Sequence, residues 1–428
     1  VTAAGDLLPV YPPPDAAGIS VHGGVGSIKF QWEELREGAL RLGQLADDVR
    51  DILHLCGDLQ WRLQMLLTGQ DMGAHGAGAV AVYALDDARA ALARRDDELH
   101  ETAQRIEACR LAYAAAEAVA QVAIFAAQAG VTEVERGLGR VIGLANAANL
   151  AEPTPLTVER VSPAAPLTID GSVPALLERI EAVNDEGPGV FEVLKVRGSG
   201  GPVFVVVLPG TQGSSIIASS NPFDPTGVVE AVQYDSVFVT EAVRGALVES
   251  GASEGDRVMV VGYSQGGMHA ANIAQHPDMI EDYQLDLVLT AGSPTGAGPS
   301  GAASYLHLEH ADDWVHKVDG MPNPDERGRV TATLRGPVVE ITDGGTGLGA
   351  AHKLGTYLRG AEAVESSSHP SILASVGGLR SAIGTRAPAE RHVFRARRRS
   401  IGEPDSSASD PRGRAPDSRT GAASQTDR

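Results

Sequence analysis

The chain has 428 residues, enough for two domains and a tail, and 43% of them are hydrophobic, so a sizeable buried core is expected. A formal net charge of -20 argues against nucleic acid as the main partner and against a broadly basic surface for anionic membranes. Only two cysteines occur, Cys56 and Cys109, which excludes a disulfide framework and a cysteine-rich zinc site.

The first residues lack a basic start followed by an apolar core, so no ordinary signal peptide is expected. From about residue 28 to 150 the apolar residues follow a helical period. Leu35, Leu42, Leu45, Val49, Ile52, Cys56, Leu59, Leu63 and Leu66 are spaced by threes, fours and one seven, which predicts a seam on one long helix. Gly69, Gly73, Gly76 and Gly78 interrupt the pattern and read as a turn. A second seam passes through Leu85, Ala88, Leu92, Leu99, Ile106, Cys109 and Tyr113, completing an antiparallel hairpin. Both cysteines fall on seams and read as small buried hydrophobes, too unequally placed from the turn to be bridged. The most apolar stretch, Leu111 to Val131, is interrupted by Glu117, Gln121 and Gln128, so no membrane span is expected.

Residues 151–166, with Pro153, Pro155, Pro163 and Pro166, read as a linker. Residues 167–383 alternate short β-rich runs with helical stretches, the signature of an α/β fold with a mostly parallel sheet flanked by helices. Strands are predicted at Phe191–Val196, Val203–Leu208, Arg257–Val261, Leu285–Thr290, Tyr305–Leu308 and Val338–Ile341, with helices over Val228–Val248 and Gly266–Ala274. Residues 384–428 are rich in Arg, Pro, Ser, Gly and Asp and are expected to be a disordered tail, its basic cluster Arg391–Arg399 solvated.

Gly262-Tyr263-Ser264-Gln265-Gly266 matches the Gly-x-Ser-x-Gly elbow. The strand Val258–Val261 feeds into it and the helix Gly267–Ile273 leaves it. A sharp strand-to-helix turn exposes the serine, and small flanking residues such as Gly262 and Gly266 let helix and strand pack closely. A serine hydroxyl is a poor nucleophile at neutral pH and needs a histidine base, itself oriented by a carboxylate. The order expected for this turn is serine, acid, histidine. Asp313, with Asp312 in reserve, lies in the acidic turn after the Tyr305–Leu308 strand, whereas Glu309 and Asp319 read as structural or solvated. His352 follows the glycine-rich run Gly344–Gly349 and opens a helix. His369 is the reserve, His316 lies too near the acid turn, and His392 falls in the expected tail. The oxyanion needs two backbone N–H donors, read here as Gln265 and, after the most apolar strand, Thr211 of Pro209-Gly210-Thr211-Gln212. These residues predict a serine hydrolase with Ser264, Asp313 and His352 as its triad, needing no metal or organic cofactor.

Together the motifs resemble class 3 lipases and related actinobacterial α/β-hydrolases, over about half the chain. The resemblance is carried by Gly210-Thr211 after a strand, by Asp313-Trp314-Val315-His316, where the lipases have proline in place of His316, and by a histidine before a C-terminal helix, like His352. The elbow is also similar to that of cutinases, although the disulfides of cutinases have no counterpart here. The resemblance implies an esterase or lipase acting on ester or lipid substrates. Residues 28–150 resemble helical hairpins exported by type VII secretion, with Tyr113-Ala114-Ala115-Ala116-Glu117 fitting their Tyr-x-x-x-Asp/Glu motif while Trp61 stands apart from the turn. That likeness implies secretion or a place in the cell envelope without a signal peptide, and a helical partner protein or the secretion machinery as a partner. A cytoplasmic place is the alternative.

Overall fold

The computed structural model describes residues 14–15, 18–26, 28–68, 72–128, 154–198, 200–213, 219–296, 298, 301–319, 321–340 and 348–399. In chain order the elements are β1 (Ile19–Gly23), α1 (Ile28–Leu67), α2 (Met72–Gln128), β2 (Leu156–Arg160), β3 (Ala165–Ile169), α3 (Val173–Asp185), β4 (Val190–Gly198), β5 (Gly201–Leu208), α4 (Pro225–Gln233), α5 (Val237–Glu249), β6 (Arg257–Tyr263), α6 (Gln265–Ile273), α7 (Pro277–Asp282), β7 (Gln284–Ala291), β8 (Ser304–His310), β9 (Arg329–Leu334), α8 (Leu354–Ser366), α9 (Pro370–Ile383) and β10 (Ala387–Arg398).

The strands form one mixed sheet in the order β1-β9-β8-β7-β6-β5-β4-β10-β2, with β3 also paired to β10. Strands β5 to β9 run parallel, while β1 on one side and β4, β10, β2 and β3 on the other are antiparallel additions. The apolar run of β5 explains its central place. Val203, Val205 and Val207 point into a core shared with α3, α8 and α9, while Phe204, Val206 and Leu208 point into a second core shared with α5 and α6. A strand covered on both faces has no polar side to show, so the alternation of a half-exposed strand disappears.

Three expectations about the sheet change. Ala387–Arg398 belongs to the sheet rather than to a tail, pairing with β4, β3 and β2. Its composition reads as disordered, but three of its arginines find carboxylates within the fold. Arg391 donates to Glu192 at 2.6 Å and to Glu186 at 2.9 Å, Arg398 pairs with Asp224, and Arg397 lies near Glu159. The rest of the expected tail, residues 400–428, lies outside the described residues. Within the proline-rich stretch expected to be a linker lie β2 and the first residues of β3. The expected strand at Val338–Ile341 has no counterpart over residues 338–340, and Ile341 lies outside the described residues; the last parallel strand is instead β9. β9 opens with the fully buried Arg329, whose guanidinium stacks on Tyr305 and donates to the carbonyls of Thr295 and Gly298, so a search for apolar runs passes over it.

The helix expected over Val228–Val248 is two helices, broken at Asp235 and Ser236, both at positive φ. Buried Glu230 turns back to accept from Phe238 N and Val239 N, satisfying first-turn amides of α5.

The hairpin of α1 and α2 is present, 40 and 57 residues long. Its seam keeps the expected Leu42, Val49, Cys56, Leu63, Leu85, Leu92, Leu99 and Ile106 and drops the other described ones. On α1, Ala39 and Ala46 are buried and Leu42, Val49, Leu53, Cys56, Gln60, Leu63 and Leu67 are half-buried. The partners on α2 are Val82, Leu85, Arg89, Leu92, Asp96, Leu99, Ala103 and Ile106, so both helices follow strict alternation of threes and fours. Leu35, Leu45, Ile52, Leu59, Leu66, Ala88 and Cys109 are exposed, and Tyr113 lies outside the residues whose side chains are described. Two apolar rows run side by side on α1, and small Ala39 and Ala46 select the inner one by letting the helices approach. Gly73, Gly76 and Gly78, expected in the turn, lie inside α2, and Gly69 lies outside the described residues. A Cβ on Gly78 would stand 2.1 Å from a methyl of Leu67. No helix among the described residues is long and apolar enough to cross a membrane.

Candidate active site

Ser264 sits between β6 and α6 at φ 53° and ψ -120°, a conformation that a side chain rarely adopts. The turn is tight enough to dictate its glycines. A Cβ on Gly262 would lie 2.2 Å from the Gly266 carbonyl oxygen, and one on Gly266 would lie 2.3 Å from that of Pro209. The elbow therefore abuts the end of β5, where the expected oxyanion segment begins. Ser264 N donates to the Ala291 carbonyl at the end of β7, pinning the turn from its other side.

His352, in a short 3-10 turn before α8, and Asp313, after β8, converge on this serine. Ser264 Oγ lies 2.9 Å from His352 Nε2, and His352 Nδ1 lies 2.8 Å from Asp313 Oδ2. Burial pushes the Asp313 carboxyl up, but the bond to His352, the His352 charge, the Tyr357 hydroxyl and Val315 N together hold it below its ordinary value. As a carboxylate it only accepts, so Nδ1 carries the imidazole proton and Nε2 accepts from the serine hydroxyl. All three side chains are buried.

The two amides expected to receive an oxyanion are those of Thr211 and Gln265. Among the described residues, neither Thr211 N nor Gln265 N donates to any acceptor, while the next amide, Gln212 N, donates to the Phe223 carbonyl at 2.7 Å. Gln265 N belongs to the first turn of α6, whose amides have no partner within the helix and favour negative charge. Gly210 lies against Tyr263, where a Cβ would come 2.6 Å from the ring.

Two tyrosines adjoin these residues: Tyr263, a variable position of the elbow motif, and Tyr357, which no motif in the sequence marks. Tyr357 of α8 is fully buried and donates to Asp313 Oδ2 at 2.6 Å while accepting from His310 N at 3.2 Å. Burial, and then the Asp313 charge, push its hydroxyl well above the ordinary tyrosine value, so it stays protonated. Tyr263, beside the nucleophile, stacks on His352 with ring centres 5.3 Å apart and donates to the His352 carbonyl.

The reserve candidates lie elsewhere. Asp312 is exposed, and His369 caps α9 by accepting from Ser371 N. His392 is on β10 beside Arg160, and Asp319 accepts from Gly296 N. Glu309 and His316 form a buried pair 3.5 Å apart. Burial above all, then the Asp319 charge, push Glu309 up to about 8, and burial, then the Lys317 charge, push His316 down to about 3, so both are driven towards their neutral forms. Residues 341–347 of the glycine-rich run and 214–218 of the loop after Gln212 lie outside the described residues.

No family model, curated protein or solved structure matches the chain. The structure is an α/β arrangement in which a mixed sheet is flanked by helices and a helical pair follows β1 and precedes β2 along the chain.

Proposed function

We propose that the protein is a serine hydrolase that cleaves carboxylic esters through an acyl-Ser264 intermediate, as an esterase or lipase. The observation that carries this reading is the continuous chain from Ser264 Oγ through His352 to Asp313, at 2.9 and 2.8 Å, on a strained strand-to-helix turn. Ser264 Oγ attacks the carbonyl carbon as its proton passes to His352 Nε2. Asp313 holds the imidazolium, and the Thr211 and Gln265 amides receive the oxyanion. His352 returns the proton to the leaving alkoxide, an alcohol departs, and the acyl group stays on Ser264. Water attacks that ester while His352 takes its proton, the acid leaves, and Ser264 recovers its hydroxyl. A fluorophosphonate probe tests the reading. Wild type labels and Ser264→Ala does not; an unlabelled wild type, or equal labelling of both, ends it. Rates on esters of increasing chain length then separate esterase from lipase.

A second reading concerns the hairpin, which we propose docks a helical partner or the secretion machinery of an exported or envelope protein whose sheet domain has a phospholipase-like or non-catalytic role. It is favoured by the row Leu45, Ile52, Leu59 and Leu66, seven residues apart and 47–66% exposed. The test compares export of wild type and of Leu59→Glu. Reduced export of the variant supports the reading; equal export, with no partner lost, counts against it.

A further inference from the structure

The last residues of β10 reach the turn 219–224, which is bonded in turn to Gln212, next to Thr211. The side chain of Arg398 is almost fully buried. Its Nη1 donates to the carbonyls of Ser219 and Asn221 at 2.9 and 2.7 Å and to Asp224 Oδ2 at 2.9 Å. Its Nη2 reaches the Pro222 carbonyl at 3.3 Å, and its backbone N donates to the Ser220 carbonyl at 2.7 Å. One residue thus gathers four successive carbonyls of the 219–222 turn. Asp224 completes the clamp, its Oδ2 also accepting from Ser219 N and Oγ while its Oδ1 caps α4 through Thr226 N and Gly227 N.

The turn leads directly to the oxyanion donors. The next carbonyl, Phe223, accepts from Gln212 N, and the Gln212 side chain accepts from Gly189 N and Asn221 Nδ2, so Gln212 is fixed from both ends. Thr211 immediately precedes it. From the elbow side, Gln265 Nε2 donates to the Pro222 carbonyl at 3.3 Å; with its amide turned over, the nitrogen would instead reach the Phe223 and Asp224 carbonyls and Thr211 Oγ1. Either orientation ties the elbow to the turn that Arg398 holds.

We infer that Arg398 is a positioning residue for the oxyanion hole: its guanidinium sets the 219–224 turn and thereby the direction of the Thr211 amide relative to Ser264. The inference rests on the serine-hydrolase reading. Arginine suits the task because its planar fork presents five donors in fixed directions, whereas lysine offers one point charge. Arg398 touches no reacting atom, so its effect passes wholly through the alignment of a donor, and misplacing such a group by an ångström costs on the order of a hundredfold in rate.

The test compares full-length wild type, Arg398→Lys and Arg398→Ala on a short-chain p-nitrophenyl ester and on the matching thionoester. A thiocarbonyl sulfur accepts hydrogen bonds poorly, so the ratio of the two rates reads the oxyanion donors and ignores a general loss of folded enzyme. In Arg398→Ala, kcat on the oxoester falls about ten- to a hundredfold with little change in KM, and the oxoester-to-thionoester ratio falls with it. Arg398→Lys shows a smaller fall in the same ratio. Guanidinium ion, below concentrations that unfold the protein, restores part of the loss in Arg398→Ala. A ratio equal to the wild type's in folded variants overturns the assignment and leaves Arg398 as a plain ion pair. If Arg398→Ala does not fold, the ratio in Arg398→Lys decides. If the wild type shows no turnover that Ser264→Ala removes, the hydrolase reading falls and takes the assignment with it. If wild type turns over and the Arg398 variants match it, only the assignment falls.

Discussion

Among the described side chains of α1 and α2, the buried hydrophobic residues are two alanines, Ala39 and Ala46, whereas every residue from Val203 to Leu208 in β5 is buried. Both regions satisfy their backbones, one within helices and one across strands. They differ in what backs them. Strands β4 to β8 and β10 have a core on both faces, and the hairpin has a single seam one side chain deep. One flank of that seam is polar and bonded, with Arg50 to Asp96 and Gln60 to Asp86. The other carries Leu45, Ile52, Leu59 and Leu66 into solvent. Periodicity therefore identifies a helix reliably while leaving open which row of it is inside.

That contrast can be broken by substitution. Leu194 in β4 is fully buried, and Leu194→Ala should cost about 2–5 kcal/mol of stability, read as a lowered urea midpoint. A loss below about 1 kcal/mol would mean that the sheet core is looser than its burial implies. Tyr357→Phe removes a hydrogen bond to a buried carboxylate, worth about 1.5–3 kcal/mol, and should lower both stability and kcat, because the site draws its rigidity from the sheet side. An unchanged kcat would show that Asp313 is held well enough by His352 and Val315 N alone.

The titrating groups sharpen the comparison through pH. Glu309, raised to about 8, is protonated in the folded protein and ionised when unfolded above its ordinary value, so folding takes up a proton between the two. Its contribution is present below about pH 4.5 and lost as pH rises towards 8. Glu309→Gln should flatten the fall in Tm over that window, and an unaltered slope would contradict the raised value. Asp313, held below its ordinary value, acts in the opposite sense: its contribution is present above pH 3.8 and lost as pH falls through the folded value. The smallest effect belongs to the hairpin. Leu59 is 51% exposed, and Leu59→Ala should change stability by no more than about 0.5 kcal/mol in dilute protein. A larger loss, growing with protein concentration, would reveal that the outer row is covered by another chain.

The sequence made the centre of the fold legible because β5 and β6 are apolar runs ending in turns with demanding chemistry, Pro209-Gly210-Thr211 and the Ser264 elbow. The positions of Ser264, Asp313 and His352 followed from the order of those turns, and the fold brings the three side chains together. What was not legible depends on partners distant in the chain. β10 hides its strand among arginines whose carboxylates lie on β4, just after α3 and in the turn before α4, and β9 opens on a buried arginine held by distant carbonyls and the Tyr305 ring. Tyr357 supports Asp313 from 44 residues away, on a helix face that periodicity marks only as buried. The seam of the hairpin turned on alanines, which carry too little apolar surface to stand out beside leucines.

The place of β1 has a consequence for how the chain is made. His22 of β1 reaches the Asn323 carbonyl across 301 residues, and β1 closes the sheet edge against β9. During synthesis at about 5–20 residues per second, Ile19–Gly23 waits on the order of tens of seconds for its partner to emerge. β1 is thus made long before the strand it pairs with, and the hairpin that follows it has time to form before β9 can close the sheet edge.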